Sequence, residues 1–425
     1  MVPHLITALT GPINELEARV LDSMPAIERW FRLEWMEHTP PFYTSVDLRN
    51  AGFKLAPVQT DLFPHGFDHL TEEMLPLAVQ AAMAAIEKIC PEAKNLLLIP
   101  SDCTSSFYLA HLARLVQVFT LAGLNVRLGS LDAELAAPRK LALPDGTELL
   151  LEPLVRRRRR LGLAAFDPCT VLLNDDLTRG VPRALRGLYE QYLLSPLHAG
   201  WGVRRMSRHF QSYEEVAKKF AKLLGMDPWL ITPMTGSHGH VQADGQGFEA
   251  LQDGADALLV KLRRKHKEYG IADKPYIVLK ADDGGRGAGV VTLRDAAELG
   301  TSELRAQLFA GGAAAREMLV QEGVPTHERI NDAVAEPVVC MIDRYVVGGY
   351  YRVHAGRRPD ENLVAPGAAF VPLAFAESHR LPRRGAKPGA NPPNRFYMYG
   401  VIGRLAMLAA AYELEATDPD AESYE

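Results

Sequence analysis

The chain has 425 residues, more than one hydrophobic core usually supports, so we expect two or three domains. Apolar residues make up 47% and charged residues 23%, which is ordinary for a globular protein. The formal net charge of −5 argues against a nucleic-acid-binding protein that relies on overall positive charge. The four cysteines show no Cys-x-x-Cys spacing and so predict neither a disulfide framework nor a zinc site: Cys90, Cys103, Cys169 and Cys340.

Membrane and secretion signals are not visible in the sequence. The most apolar helical segments, 109–124 and 401–412, are interrupted by His111, Arg114 and Arg404. The N-terminus does not combine a basic start with an apolar stretch, as a secretion signal would. We therefore expect a cytoplasmic protein.

The first half of the chain predicts a doubly wound α/β layer. Residues 11–36 carry apolar positions at helical spacing, whereas 41–70 are rich in Pro, Gly, Asp and Asn and predict a long functional loop. From residue 72 onward, helical and strand patterns alternate, which is typical of an α/β layer. The predicted helices are 72–90 and 105–122, and the predicted strands are 95–100, 125–130, 148–155 and 170–176.

Five consecutive arginines, Arg156 to Arg160, lie between two apolar segments. Such a run can bind phosphate or nucleic acid. A solvated turn is the more common arrangement for five residues in this setting, and it is our preferred interpretation.

The second half begins with a predicted helix over 212–225, because Ser212 and Glu215 form a capping-box pattern and Gly225 is a stop signal. A short strand is predicted over 229–234, a helix over 250–269, and a long helix from near Arg395. Further apolar segments at 276–280, 318–324 and 336–354 are typical of strands. We place the domain boundary near residue 200, with domains 1–200 and 201–425.

The segment YIVLKADDGGRGAGVVT, residues 276–292, has four glycines in six positions between two strands. Gly284, Gly285, Gly287 and Gly289 permit close backbone approach, and their N–H groups can surround a phosphate. Lys280 precedes the glycines and no GK[ST] follows, which excludes a Walker loop; a strand follows, which excludes a Rossmann turn. A plain β-hairpin remains the alternative.

The order of the downstream segments resembles an ATP-grasp fold. The strand lysine and glycine flap are followed by VQEGV, by two strands joined at Asp343-Arg344, and by Asn362 with acidic neighbours. In a fold of this kind, the flap covers the phosphates, a hinge strand contacts adenine, and later strands supply arginine and Mg²⁺ ligands. An α/β N-terminal domain followed by an ATP-grasp pair, α+β in character, is thus expected.

Longer segments are similar to the ATP-grasp type of bacterial glutamate–cysteine ligase over about residues 12 to 415. These segments are SVDLRNAGFKLAPVQTDLFPHGFDHL, LLNDDLTRGVP, GWGVRRMSRHF, VAEPVVCMIDRYVVGGYYRVH, ENLVAPG and PNRFYMYGVIGRLAMLAAAYELE. The chain departs from the family's flap at Asp283, Gly285 and Arg286. It also has RRMSRHF in place of RRKSNHF and lacks an EIN-type metal motif near the C-terminus.

The resemblance implies that ATP phosphorylates the γ-carboxylate of L-glutamate and that L-cysteine then displaces phosphate to give γ-glutamylcysteine, the first step of glutathione biosynthesis. Lys280 and the four flap glycines would contact the phosphates. The hinge that contacts adenine would consist of Gln321, Glu322, Gly323 and Val324. Glu322 is also a candidate for binding a ribose hydroxyl. The candidates for stabilising the transferring phosphoryl group are Arg344, Arg352 and Arg205.

The resemblance also implies Mg²⁺, which prefers oxygen ligands. The available ligands in suitable places are Glu336, Asp343, Glu361 and Asn362. The amino-acid substrates need carboxylates and arginines, and the candidates are Asp47, Arg49, Asn174, Asp175, Asp176, Arg179, Arg204 and Arg205. Structural turns and surface ion pairs remain alternatives for many of these residues.

Three alternatives stay open at this point. The chain could be an ATP-dependent ligase with another acceptor, a nucleotide-binding protein without catalysis, or an RNA-associated protein that uses Arg156 to Arg160. Small-molecule substrates are the expected partners, without nucleic acid or membrane, and a homo-oligomer is possible.

Overall fold

The computed structural model describes residues 5–6, 12–101, 103, 105–284, 290–309, 315–373 and 395–420. The helices in this part of the chain are α1 (Pro12–Asp22), α2 (Met24–Glu37), α3 (Leu75–Ile89), α4 (Ser106–Leu121), α5 (Met206–Leu224), α6 (Phe248–Glu268), α7 (Ser302–Leu308) and α8 (Phe396–Ala416). The strands of the N-terminal half are β1 (Leu5–Ile6), β2 (Tyr43–Asn50), β3 (Leu55–Asp61), β4 (Asn95–Pro100), β5 (Asn125–Ser130), β6 (Arg139–Ala142), β7 (Glu148–Pro153), β8 (Val155–Arg157), β9 (Arg160–Gly162), β10 (Thr170–Asn174) and β11 (Tyr192–Leu194). Those of the C-terminal half are β12 (Thr235–Gln242), β13 (Ile277–Ala281), β14 (Val291–Leu293), β15 (Ala315–Glu322), β16 (Arg329–Ile330), β17 (Ala333–Ile342), β18 (Tyr345–His354) and β19 (Ala369–Pro372).

A six-stranded sheet of order β11-β10-β4-β5-β7-β6 forms the predicted α/β layer. All its pairs are parallel except β6 with β7. Strand β4 is buried on both faces: Leu96 and Leu98 pack in the core that also contains α3 and α4, and Leu97 and Ile99 pack in a second core with β9. The α/β class is therefore confirmed, although helices α3 and α4 cover one face and the β8–β9 hairpin and C-terminal part of α8 contribute to the other.

A seven-stranded antiparallel sheet joins the two ends of the chain. Strand β17 pairs with β18 on one side and with both β16 and β2 on the other, and β3 extends the sheet beyond β2. Residues 41–70 therefore contain two strands where the sequence predicts a long loop. A division at residue 200 would pass through this sheet, because its strands come from both sides of that point.

A four-stranded antiparallel sheet of order β12-β15-β13-β14 has its own hydrophobic core with α6 and α7. The core includes Leu259 of α6, Leu279 of β13 and Val320 of β15, each at most 1% exposed. The two strands that flank the glycine flap, β13 and β14, pair antiparallel from Ile277–Leu293 to Leu279–Val291. This sheet faces the seven-stranded sheet across a cavity that holds most of the candidate site residues.

Two local predictions differ from the structure. Helix α5 begins at Met206, six residues before Ser212, because the N-terminus is capped by Asp282, which accepts hydrogen bonds from Ser207 N (2.6 Å) and Ser207 Oγ (2.7 Å). The predicted strand 229–234 is instead a 3₁₀ turn over Pro228–Ile231, capped by the Asp227 side chain on Trp229 N. Both differences come from side-chain caps, and the cap on α5 is distant in sequence.

The arginine run occupies the β8–β9 hairpin at the surface. Arg156, Arg157 and Arg160 donate hydrogen bonds to backbone carbonyls, among them those of Ala184, Leu163 and Glu190. These contacts are those of a structural surface turn. Within the part of the chain that the structure describes, no helix combines the length and apolarity needed to cross a membrane.

Candidate active site

The cavity between the four-stranded and seven-stranded sheets has a volume of about 380 Å³. This size is within the range of small-molecule sites. The cavity is lined by side chains of β2, β3, β17 and β18 on one wall and of β13 and β15 on the other, with the loops after β10 and β18 at its edges. Most of the predicted site residues meet here.

The wall formed by β2 and β3 follows from strand alternation. Ser45, Asp47 and Arg49 are two residues apart on β2, so their side chains lie on the same face of the sheet, and all three line the cavity. Val46 and Leu48 point to the other face, where they are fully buried in the core. The alternation SVDLR thus creates one polar face and one apolar face.

Arg49, Glu336, Arg352 and Asp47 form a buried chain of ion pairs on this wall. Arg49 Nε donates to Glu336 Oε2 at 2.9 Å, and Arg352 Nη1 donates to Glu336 Oε1 at 2.5 Å and to Asp47 Oδ2 at 2.7 Å. Glu336 and Arg352 are opposite each other in the β17–β18 register, and Asp47 is opposite Val338 on β17. The sheet register therefore brings together residues that are far apart in sequence.

The charges of this cluster stabilise one another. Burial alone would raise the pKa of Glu336, but Arg49 and Arg352 lower it below its ordinary value. Burial raises the pKa of Asp47 above its usual range, with Arg352 opposing the shift. Burial would lower the pKa of Arg352, but Asp47 and Glu336 raise it, so both arginines stay charged.

Lys280 lies on the opposite wall. Its Nζ donates to Val58 O of β3 at 2.8 Å and to Gln321 Oε1 at 2.8 Å, so it bridges the two sheets. Burial lowers the pKa of Lys280 to about 7, with the neighbouring positive charge of Arg49 as a further cause. The Gln321 Nε2 atom is buried and has no hydrogen-bond partner among the described residues. An anion with acceptor oxygens would complement this end of the cavity.

The predicted hinge, residues 321–324, crosses the same end. Gly323 N donates to Tyr276 O at 2.9 Å, and Val324 O accepts from Arg49 Nη1 at 3.2 Å. The Glu322 side chain is 3% exposed. Its carboxylate accepts from Lys54 Nζ at 2.9 Å and from Met234 N at 2.8 Å. We therefore expect the backbone of Glu322, rather than its carboxylate, to contact a nucleotide; Lys54 is a buried partner that the sequence reading missed.

Gly284, the first flap glycine, lines the cavity with φ of +72°. A Cβ at this position would lie 2.2 Å from Trp201 Cδ2, so a larger residue would require a rearrangement. The predicted contacts of Gly285, Gly287 and Gly289 lie outside the described residues.

The loop after β18 contributes Glu361 and Asn362, which both line the cavity. Glu361 O accepts from Arg49 Nη2 at 2.6 Å, while its carboxylate accepts from Arg358 N at 2.9 Å. Asn362 Oδ1 accepts from Val364 N at 3.0 Å. Of the predicted Mg²⁺ ligands, the structure thus brings Glu336, Glu361 and Asn362 to the cavity.

Asp343 and Arg344 are not brought to the cavity. They form the turn between β17 and β18, and Asp343 is about 23 Å along β17 from Glu336 at roughly 3.3 Å per residue. Asp343 Oδ1 lies 3.6 Å from Lys88 Nζ, and Arg344 is exposed beside Tyr345. The direction of the hairpin points this turn away from Glu336 and Arg352, so the structure does not support their predicted roles in metal binding and phosphoryl transfer, which stay predictions.

Asn174 and Arg204 serve the core instead of the cavity. Asn174 is fully buried, with its amide donating to Tyr43 Oη at 2.8 Å and its Oδ1 accepting from Tyr108 Oη at 2.8 Å. Arg204 is 3% exposed and donates to Glu413 Oε1 at 3.0 Å and to Thr60 O at 2.8 Å. Both residues thus make structural contacts, and neither is part of the cavity lining.

The cavity lining does not include three further predicted residues, Arg205, Asp175 and Arg179. Arg205 donates to Glu317 Oε2 at 2.5 Å and lines a separate depression of about 410 Å³ at the start of α5. Asp175 Oδ1 accepts from Leu177 N at 2.8 Å in a turn, and Arg179 is exposed in the same loop. Asp176, from that loop, does line the cavity.

Several further lining residues were not predicted, because the sequence predicts a loop over 41–70. Gln59 and Asp61 are two residues apart on β3 and share the cavity face, a period-two signal hidden by Pro57 and the nearby glycines. Aromatic side chains from separate segments also line the cavity: Phe63, His65, Phe107, Tyr350 and Phe370.

Comparisons with known proteins agree with these observations. No curated protein matches the chain. A crystal structure described as "Putative gamma-glutamylcysteine synthetase" from Methylobacillus flagellatus KT is 48% identical, with a TM-score of 0.89, and the match covers 98% of this chain and 100% of that one. The family model for glutamate–cysteine ligase (GshA) matches residues 17–414. The ligase prediction is thereby confirmed: this chain belongs to the glutamate–cysteine ligase family of ATP-dependent ligases.

Proposed function

We propose that the cavity binds Mg·ATP and glutamate between the four-stranded and seven-stranded sheets, in an ATP-grasp arrangement. The observation that supports this proposal is that Lys280 and the Arg49–Glu336–Arg352–Asp47 cluster line one cavity from opposite walls. Phosphoryl transfer needs charge neutralisation and positioning more than covalent chemistry. A lysine and two arginines around one small volume meet that need.

The nucleotide end fits the contacts that ATP requires. Gln321 Nε2 is buried and has no hydrogen-bond partner among the described residues, so it can donate to the nucleotide. Val278, Val290 and Val324 line the cavity beside it and offer apolar surface for a base. We assign Lys280 to the phosphates and the backbone of residues 321–324 to adenine, and the flap glycines 284, 285, 287 and 289 keep their predicted role over the phosphates.

The donor set for Mg²⁺ is limited. Within the described ranges, no three His, Cys, Asp or Glu side chains converge on one point. Mg²⁺ usually takes one or two protein oxygens together with phosphate oxygens and water, and Glu336, Glu361 and Asn362 can supply that number. When bound, the ion would neutralise charge on the transferring phosphoryl group.

The arginine cluster would hold glutamate. ATP supplies the phosphoryl group that converts the γ-carboxylate of glutamate into an acyl phosphate. Arg49 and Arg352 carry planar guanidinium groups that bind carboxylate or phosphate oxygens in a fork. Glu336 fixes both guanidinium groups from behind, so that their orientation is set before substrate binds.

Cytoplasmic localisation and a homo-oligomeric state remain predictions.

The proposal is tested by phosphate release from Mg·ATP with glutamate and cysteine, each reactant omitted in turn. We expect release that requires both amino acids, formation of γ-glutamylcysteine by mass spectrometry, and loss of both in Lys280→Met. The matched control is Lys274→Met, because Lys274 is an exposed lysine six residues earlier. Equal activity in the two variants would contradict the role of Lys280, and release that does not require glutamate would contradict the reaction.

A further inference from the structure

Asp61 lines the cavity three residues along β3 from Val58, whose carbonyl accepts from Lys280 Nζ at 2.8 Å. It is the last residue of β3 and pairs with Ser45 of β2, two residues beyond the pair Gln59–Asp47. Residues two apart share a face, so Asp61 is about 7 Å along the strand from the Asp47–Arg352 ion pair. This separation places Asp61 beside, and not within, the arginine cluster that we assign to glutamate.

A second carboxylate faces the same space from another element. Asp176 belongs to the loop after β10 and lines the cavity together with Asp61. This loop is at the carboxyl edge of a parallel sheet, where α/β proteins bind ligands. Phe63, which follows Asp61 by two residues, lines the cavity, as do His65 and Phe107, so an amino acid with a small side chain would find both carboxylate and apolar contacts in it.

The environment of Asp61 differs from that of the other carboxylates on its wall. Asp61 Oδ1 accepts from Phe63 N at 3.0 Å. In the described ranges, no lysine, arginine or histidine nitrogen lies within ion-pair distance of it, whereas Asp47 and Glu336 are each bound to arginine. Its carboxylate is therefore better placed than theirs to take up a proton.

The charged and titratable groups around Asp61 come from five parts of the fold. Asp176 and Asp47 repel its negative charge, and Arg204 attracts it from the segment before α5. Arg204 is in turn paired with Glu413 of α8, and His209 of α5 binds Thr60 Oγ1 at 2.8 Å. Burial is the largest cause of the shift, and the Phe63 N–H opposes it. Together these effects raise the pKa of Asp61 to about 6. A carboxylate with such a pKa is a more effective base near neutral pH than an ordinary aspartate.

We infer that Asp61 is the base that accepts a proton from the ammonium group of the acceptor amino acid. This inference rests on the acyl-phosphate route proposed above. The ammonium gives one proton to the Asp61 carboxylate, and the nitrogen lone pair forms the C–N bond at the acyl carbon. The C–O bond to phosphate breaks, phosphate leaves with the electron pair, and the second nitrogen proton passes to phosphate as the amide forms.

The test compares Asp61→Asn with Asp132→Asn. Asp132 is an exposed aspartate whose Oδ1 also accepts the N–H two residues later, from Glu134 at 2.9 Å, so it controls for the turn geometry. With Mg·ATP and glutamate, cysteine and hydroxylamine are used as alternative acceptors at pH 8. Hydroxylamine is neutral at this pH and intercepts an acyl phosphate without prior removal of a proton.

We expect Asp61→Asn to lose about 10²- to 10⁴-fold in kcat with cysteine, while hydroxamate formation stays within about threefold of wild type. The residual cysteine rate should rise about tenfold from pH 7 to pH 8, because more of the amine is then deprotonated in solution. Equal losses with both acceptors, or no loss with cysteine, would overturn the inference. A wild-type protein that forms no hydroxamate would instead overturn the acyl-phosphate route itself.

A second measurement uses the wild-type protein and does not depend on whether the variant folds. Protonated Asp61 cannot act as a base, so kcat/KM for cysteine should fall about tenfold per pH unit below about pH 6. Glutamate-dependent positional isotope exchange within ATP needs no acceptor and should lack this acidic limb. The same limb in both profiles would overturn the role of Asp61.

Discussion

Two buried charge clusters in this protein are built from the same kinds of residue, but only one of them faces the cavity. The Arg49–Glu336–Arg352–Asp47 cluster lines the cavity, and the Arg204–Glu413–His209 cluster is enclosed between α5, α8 and β3. Both use arginine–glutamate pairs with side chains that are at most 11% exposed. The difference teaches that burial and charge alone do not identify a site; access from a cavity does.

The largest expected effect is on catalysis at the first cluster. Arg352→Gln removes the fork that holds Asp47 and Glu336 and that we assign to the acyl phosphate, so kcat/KM should fall by at least about 10³-fold. The measurement is steady-state phosphate release with all three substrates. Arg344→Gln is the control on the same hairpin and should stay within about twofold; a loss in Arg344→Gln comparable to that in Arg352→Gln would erase the distinction.

The second cluster should respond in stability and not in turnover. Glu413→Gln leaves Arg204 without its buried counter-charge, which should lower the free energy of unfolding by about 3 to 5 kcal/mol. Denaturant unfolding followed by far-UV circular dichroism measures this change, and kcat of the folded protein should be preserved. Glu415→Gln, on the same helix but half-exposed, is the control and should unfold like wild type. A large drop in kcat for Glu413→Gln at unchanged stability would place this cluster in the site.

A smaller effect is expected on the protonation of Lys280 in the cavity. Lys280 has a pKa of about 7, and bound phosphates favour its charged form, so ATP binding should be accompanied by proton uptake. The affinity is then highest below pH 7 and falls as the pH rises above it, by up to tenfold per unit. Calorimetry at pH 8 in buffers of different ionisation enthalpy measures the uptake. Lys280→Met should abolish it, and uptake that persists in this variant would assign the proton to another group.

Much of the fold is readable from local patterns. Strands β4 and β5 and helices α3 and α4 agree with the predicted elements within three residues, because their apolar periodicity and flanking breakers act locally. Strands β2 and β3 are hidden by Asn50, Gly52 and Pro57, which mark turns, and they exist because β17 pairs with β2. That pairing is a long-range fact that no window of the sequence contains.

The sequence identified several residues of the site, but it did not identify which side chains they contact. Asp47, Arg49, Lys280 and Arg352 were identified as candidates from the chemistry of their side chains and from the family resemblance, and all four line the cavity. Arg204 and Arg344 carry the same functional group but lie elsewhere. Glu336 was predicted only as a metal ligand, and the structure also places it between two arginines, because its neighbour across the strand is Arg352. Sheet register decides these partnerships.

The long reach of the seven-stranded sheet also bears on how the protein is made. Arg49 and Glu336 are 287 residues apart in the chain, although their side chains are hydrogen-bonded. At roughly 5 to 20 residues per second, a ribosome needs about 15 to 60 s to travel from one to the other. During that interval β2 has emerged without β17, the central strand it pairs with, and its unpaired edge is open to other chains. Newly made chains should therefore depend on chaperones until β17 emerges, and the active site can form only late in translation.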